Sequence, residues 1–399
     1  MIQLAKRISA IPESETLAIS AKARELKEKG IDVISFSAGE PDFSTPAPIC
    51  DAAIKAINDG HTHYTPVGGT NELKAAVAGY YARRTGQTWK PNEIAASCGA
   101  KHTLYNLFLA IIDDGDEVIV PAPYWVSYPV MVSMAGGKAV SVFGKPENNF
   151  TPTVADLEAA RTPRTRAIVI NNPTNPTGAF WQREQLEGIA EWLRKNPEII
   201  VISDAIYSEL VYDGAEYTEL LSIAPELRDR YVLVDGISKA FAMTGWRLGY
   251  ALGPANVIGA MMKIQSQSTS NPTSITQYAA IEALNRSEEV IAPMRAAFQT
   301  RRDLIYTLLS EIKDLTVVKP SGAFYAFPSV QAFIGRSFNG RKMETDFDIA
   351  TYLIEEGRIA VVPGSAFGAP GFIRMSYADK EENIREGVSR LAEALGKLV

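Results

Sequence analysis

Cysteine is nearly absent from this chain: 399 residues contain two, Cys50 and Cys98. Nothing around either has zinc-ligand spacing, so no metal site is expected, and such sparse use fits a reducing compartment. An excess of basic charge is also missing. With a formal net charge of −6, no basic stripe is available to neutralise nucleic-acid phosphates. No apolar run approaches the roughly 20 residues needed to cross a bilayer. Met1 to Leu17 carries charges and Pro12 where a signal peptide would have an apolar core. The expectation is a cytoplasmic protein with neither membrane nor nucleic acid as partner. Repeats and low-complexity tracts are lacking too. What remains is an ordinary globular composition, 46% apolar and 22% charged, and enough length for two domains.

Between about 95 and 290, short apolar runs alternate with longer helical patterns, which predicts a mostly parallel sheet flanked by helices. The strands are expected at Glu117–Pro121, Lys138–Phe143, Ala167–Asn171, Ile199–Ser203, Tyr231–Val234 and Gly249–Leu252. Polar residues after Phe143 put the second near an edge. Helical periodicity marks Lys101–Ile112, Arg183–Arg194 and Ser274–Leu284. At the ends, Ser14–Gly30 reads as an amphipathic helix with Ser14 or Thr16 as caps, followed by the run Val33–Phe36. A long helix over Glu289–Glu311 precedes strand-like pieces at Leu315–Lys319, Phe324–Phe327, Ile359–Val362 and Phe372–Tyr377. The expected organisation is a large domain over 46–288 and a smaller α+β domain formed jointly by 1–45 and 289–399.

Lys239 stands among small and apolar residues in Ser238-Lys239-Ala240-Phe241-Ala242-Met243-Thr244-Gly245-Trp246-Arg247. An ammonium there loses hydration, and its neutral form can attack a carbonyl carbon; the plain alternative is a lysine snorkelling from a loop. Arg247, eight positions on, would repel it unless an anion lay between them. Asp204 ends an apolar strand, where a carboxylate must be paired or must cap the following helix, and Tyr207 one turn later would face the same place. Asn172-Pro173-Thr174-Asn175-Pro176-Thr177-Gly178 predicts a rigid loop presenting its amides outward, beyond what plain turn chemistry requires. Gly99 and Ala100 open a helix whose free N–H groups suit a phosphate, and Lys101 in that first turn opposes the helix dipole unless an anion is bound. Arg374 lies on one face of a strand, turned either to water or into a cleft where its fork would grip a carboxylate.

Taken together, Asn175, Asp204-x-x-Tyr207, Ser238-Lys239, Arg247 and Arg374 resemble the fold-type-I pyridoxal-phosphate aminotransferases. The match runs from Gly39-Glu40-Pro41-Asp42 to Arg374, with the bacterial aspartate branch closest through Pro123-Tyr124-Trp125-Val126-Ser127-Tyr128 and the Lys239 segment. The resemblance implies a pyridoxal 5'-phosphate cofactor bound covalently by Lys239, which would also shuttle the proton at the substrate Cα. Asp204 would pair with the pyridinium nitrogen, Asn175 and Tyr207 with the phenolic oxygen, and Trp125 would stack on the ring, unless it is simply a core aromatic. Gly99, Ala100 and Arg247 would hold the phosphate, helped by Tyr64 from the partner subunit of a homodimer. Arg374, with the backbone at Gly39 and Asn175, would bind the α-carboxylate, and Lys101 the distal one. The implied reaction is L-aspartate plus 2-oxoglutarate to oxaloacetate plus L-glutamate. Prephenate as a second substrate, another amino acid, or lyase chemistry on the same scaffold are the alternatives. One departure stands out: Gly236 occupies the position where many relatives have a phosphate-binding Ser or Thr.

Overall fold

The computed structural model describes residues 15–399, together with Ile2, Leu4, Ala5, Ile8 and Ile11, but not the side chains of 15–18 and 20. The expected caps Ser14 and Thr16 therefore lie outside what is described.

Fourteen strands occur among the described residues: β1 (Ile34–Ser35), β2 (Ile94–Ser97), β3 (Glu117–Ala122), β4 (Lys138–Phe143), β5 (Thr165–Asn171), β6 (Ile200–Asp204), β7 (Tyr231–Gly236), β8 (Gly249–Leu252), β9 (Tyr325–Ala326), β10 (Ser337–Phe338), β11 (Arg341–Lys342), β12 (Ile359–Ala360), β13 (Val362–Pro363) and β14 (Ile373–Ser376). Seven form one sheet in the order β2-β8-β7-β6-β5-β3-β4. The neighbours from β7 to β4 run parallel, and β8 is antiparallel to both β7 and β2. β5, β6 and β7 are buried nearly throughout, which is why they read as unbroken Val/Ile/Leu runs rather than as an alternating pattern. β4 is an edge strand with mixed exposure, as its polar sequel suggested.

Three elements differ from expectation. β2, with the sequence Ile-Ala-Ala-Ser, gives almost no strand signal, because alanine is depleted in strands and four residues carry no period. The stretch Leu315–Lys319 is no strand; only Thr316 makes an isolated bridge, to Ser329. Ile359–Val362 splits in two. β12 pairs in parallel with β1, and β13 pairs with β14, so neighbouring residues serve different sheets.

One large core packs residues between Ile49 and Ile291 under the sheet, and another lines its opposite face. A separate core joins Ile34 and Phe36 to residues from Phe298 to Leu398. β1 is thus drawn against the C-terminal part of the chain. Phe36 N–H donates to Ala360 O, and Ser376 N–H to Phe36 O. The consequence for function is that the segment Ser37–Gly39 is delivered beside Arg374 and over the carboxyl ends of the large sheet. Such ends are where open α/β sheets bind ligands.

Candidate active site

Residues following β3, β5 and β6 line a cleft of about 970 Å³, closed on its other side by Gly39, Tyr325 and Arg374. At its floor β5 and β6 end in register, Asn171 opposite Asp204. Asp204 is 3% exposed. Its Oδ2 accepts from Tyr128 Oη at 2.6 Å and its Oδ1 from Ile206 N at 3.2 Å. Burial raises its pKa to about 6, against the opposing pull of Tyr128, the Ile206 N–H and Lys239. The segment after Asp204 is a succession of turns, not the helix its sequence suggested, yet Tyr207 still reaches the cleft. There the Tyr207 and Tyr325 hydroxyls are hydrogen-bonded at 2.9 Å.

The Asn172–Gly178 loop corrects half of one expectation: the Asn172 amide points inward, while Asn175 lines the cleft. Asn172 bonds the backbone of Trp181 in both directions, Asn171 Oδ1 accepts from Asn175 N, and Asn175 Oδ1 faces Arg374. Two Asn-Pro steps limit the backbone so tightly that side chains must supply its missing partners. Gly178, at φ +66°, comes so close to the backbone that a Cβ would lie 2.5 Å from Tyr325 O.

Above this floor four cations gather, Lys101, Lys239, Arg247 and Arg374, with Asp204 as the carboxylate among the lining residues. None of the four makes a salt bridge among the described residues. Lys239 Nζ donates to Gly39 O at 2.5 Å. Its pKa falls to about 8 because burial strips its hydration and Arg374, Arg247 and Lys101 repel its charge, with Glu40 opposing them. Lys101 Nζ lies 5.0 Å above the Trp125 ring, and burial followed by Arg247 lowers its pKa as well.

Gly99 caps the helix Ala100–Ile111 at φ +94°, and a Cβ there would sit 2.6 Å from Arg247 Nη2. The guanidinium therefore shares the helix N-terminus with free N–H groups, a place made for an anion. β8 presses on the same turn, since a Cβ at Gly249 would meet Ala100 N at 2.2 Å. At Gly236 a side chain is excluded because its Cβ would lie 2.9 Å from Leu248 O and 3.0 Å from Gly249 Cα. The hydroxyl that does line the cleft nearby is Ser238.

Arg374 is buried at 3% exposure, so the water-facing alternative does not hold. Nη1 donates to Asn175 Oδ1 at 3.0 Å and Nη2 to Ser37 O at 2.9 Å, while buried Nε has no partner. Its guanidinium stacks 4.6 Å from the Tyr325 ring centre.

One predicted residue is not brought in: Tyr64 is 90% exposed and lies outside the cleft of its own chain. Two residues of the site escaped sequence reasoning about roles. Tyr128 lay within a quoted motif, three residues after Trp125, and that spacing could have flagged it; Tyr325 had no such signal.

A phosphorylated pyridine aldehyde fits this donor set. An amine with a depressed pKa, an anion cradle at Gly99–Ala100 with Arg247, a buried acid at Asp204 and the flat wall of Trp125 are all in one cleft. Comparison with known proteins agrees. Residues 31–391 match the family model described as aminotransferase class I and II. The chain is 47% identical over 390 residues to the aspartate aminotransferase of Geobacillus stearothermophilus, covering 98% of each. It is also 47% identical to the aspartate/prephenate aminotransferase of Cereibacter sphaeroides, again covering 98% of each. Among solved structures, the aspartate aminotransferase from Rhizobium meliloti superposes with a TM-score of 0.97 at 42% identity over the whole of both chains. That of Thermus thermophilus with maleate gives 0.92 at 42%, covering 99% of this chain and all of that one. The chain belongs to the class I and II aminotransferases, and to the fold-type-I enzymes among them that work with pyridoxal 5'-phosphate.

Proposed function

We propose that this aminotransferase moves the amino group of L-aspartate to 2-oxoglutarate, giving oxaloacetate and L-glutamate in two half-reactions at one site. The observation that carries the reading is the pair of cations without a carboxylate partner, Arg374 on β14 and Lys101 on the helix Ala100–Ile111. One can take the carboxylate every amino acid has, the other the distal carboxylate of a dicarboxylic one. The relatives named for aspartate, and the Thermus protein crystallised with maleate, support the choice.

When bound, pyridoxal phosphate supplies an aldehyde that bonds amines and a ring that accepts electrons from the substrate Cα. Everything else falls to the chain. Gly99, Ala100 and Arg247 hold the phosphate, and Trp125 covers one ring face. Asp204 keeps a proton on the ring nitrogen, its own charge maintained by the donors Tyr128 and Ile206. Asn175 and Tyr207 donate to the phenolic oxygen. Arg374, with the backbone at Gly39 and Asn175, would orient the substrate so that the Cα–H bond stands where Lys239 can take its proton and hand it to the carbon on the far side of the nitrogen. Its pKa of about 8 suits that exchange near neutral pH.

The same reading carries a homodimer in the cytoplasm, with Tyr64 of each copy reaching the other's phosphate. It also carries a large domain over 46–288 and a small one over 1–45 and 289–399. A second reading, prephenate as an additional amino acceptor, is favoured by the apolar wall of Tyr105, Val130 and Met131 near Lys101 and by the relatives named for both substrates.

The test is a half-reaction. Excess L-aspartate added to the holoprotein without any oxo acid is expected to convert all of the cofactor to its amine form, with stoichiometric oxaloacetate. No conversion with aspartate would reject it as donor, and product without conversion would point to a lyase. Lys101→Ala is expected to raise KM for aspartate roughly 10- to 100-fold, the worth of a hydrogen bond between charged groups, and KM for alanine far less. Equal changes for both substrates would remove Lys101 from distal recognition.

A further inference from the structure

Gln265 lies in the helix Ala255–Ser266, away from the cleft and outside every role assigned above. It is 2% exposed, yet its amide is fully used. Oε1 accepts from Ser97 Oγ at 2.6 Å and from Asn106 Nδ2 at 3.1 Å. Nε2 donates to Val67 O at 2.8 Å and to Ala96 O at 2.9 Å. Burying a primary amide is costly unless all its bonds are met, so each of these contacts is a constraint on the element it reaches.

Those elements are of two kinds. Ser97 ends β2 and begins the turn to Gly99, whose N–H donates to Ser97 O at 2.7 Å. Setting Ser97 therefore sets the backbone that opens the anion cradle. Val67 belongs to the loop after Tyr64. That loop is tied down at every step: Gly68 O accepts from Ala96 N, and buried Gln277 donates to Thr65 Oγ1 and accepts from Thr70 N. The fixing is notable because the residue it presents, Tyr64, is 90% exposed. A loop held by two buried amides so as to aim an aromatic side chain into solvent is pre-organised for something outside its own chain.

We propose that Gln265 is a positioning residue for two cofactor sites at once. Its oxygen sets this chain's own phosphate turn at Ser97–Gly99, and its nitrogen sets the loop that lends Tyr64 to a second copy. The second half rests on the shared-site dimer proposed above.

The first half is tested on apoprotein, by titrating inorganic phosphate, pyridoxal phosphate and phosphate-free pyridoxal into Gln265→Leu. Loss of these bonds is expected to weaken phosphate and pyridoxal phosphate about tenfold, and pyridoxal by less than about twofold. Ser97→Ala, which removes a single hydroxyl and keeps the fold if Gln265→Leu does not, is expected to show the same split at smaller amplitude. Equal weakening of pyridoxal and pyridoxal phosphate, or no weakening, would overturn it.

The second half uses hybrid dimers in which one subunit carries Lys239→Ala, so that only one site gives the lysine-bound cofactor band. Gln265→Leu placed on the Lys239→Ala subunit leaves that site's phosphate turn intact but changes the loop lending it Tyr64. Cofactor release is expected to quicken severalfold there, and Tyr64→Phe in the same place is expected to add nothing further. Unchanged release with Gln265→Leu, while Tyr64→Phe alone quickens it, would confine Gln265 to its own site. If Tyr64→Phe also changes nothing, or the protein sediments as a monomer, the shared-site reading fails and the second half with it. The phosphate titration still decides the first.

Discussion

Replacing Lys239 by alanine is expected to lower the rate of the aspartate half-reaction by about 10⁴-fold or more, the upper end of what one positioned acid–base group contributes. The size follows from what else the cleft offers. Among the residues lining it, Arg247 and Arg374 are guanidiniums that do not give up a proton, and Lys101 lies against Trp125. Asp204 has both oxygens committed to Tyr128 and Ile206. None of these four groups can take over the Cα proton as Lys239 does, so the loss should be large. Added methylamine is expected to restore part of the rate, whereas Lys239→Arg, which cannot become neutral, should restore none. Substantial activity in Lys239→Ala without added amine would contradict the mechanism.

The pH behaviour of the apoprotein gives an independent check on the same residue. With a pKa near 8 in the folded chain, Lys239 holds a neutral amine in about a tenth of molecules at pH 7, against well under a thousandth for an ordinary lysine. Because the folded value is the lower one, the unfolded chain binds more protons between pH 8 and the usual lysine range. Stability contributed through Lys239 therefore rises with pH over that window and is flat below it. Wild-type apoprotein should gain stability relative to Lys239→Met as pH climbs from about 8 toward 10, and a constant difference would place the pKa elsewhere.

The sequence made the strands that carry the site legible wherever they are buried on both faces. A run such as Ile199-Ile200-Val201-Ile202 admits little other reading. Lys239, Asp204 and the Asn-Pro loop were visible for a related reason: each is a polar group placed where burial is costly, so its identity needs a cause. What stayed hidden was set by tertiary contacts. β2 is a strand because β8 lies beside it and not because Ile-Ala-Ala-Ser prefers one. The inward turn of Asn172 answers to Trp181, nine residues away, and Gly236 is glycine because Leu248 O and Gly249 leave no room for a Cβ. Tyr325 meets Tyr207 across 118 positions of sequence. No local pattern encodes a contact at that range.

Arg374→Leu is expected to separate activity from stability. Its guanidinium is 3% exposed with no carboxylate partner among the described residues, and its Nε makes no hydrogen bond. A buried cation compensated only by two neutral acceptors, Asn175 Oδ1 and Ser37 O, and by the face of Tyr325 is an electrostatic liability to the folded chain. Burial accordingly pushes its pKa below the ordinary arginine value. That liability has a use: an arriving carboxylate finds a desolvated, pre-oriented donor, and truncating one partner of such a pair typically costs 2–5 kcal/mol, or roughly 30- to 4,000-fold. The prediction is a fall of that order in kcat/KM for aspartate and for 2-oxoglutarate alike, since both present the same α-carboxylate, while the apoprotein melts no lower than wild type. Arg374→Lys should recover little, because a point charge cannot replace a fork already anchored to Asn175 and Ser37. Thermal melting of the apoproteins beside steady-state kinetics in both directions decides the matter. A variant that loses stability in step with activity would make Arg374 a strut between β14 and the Asn175 loop, and would leave the α-carboxylate to be bound by another group.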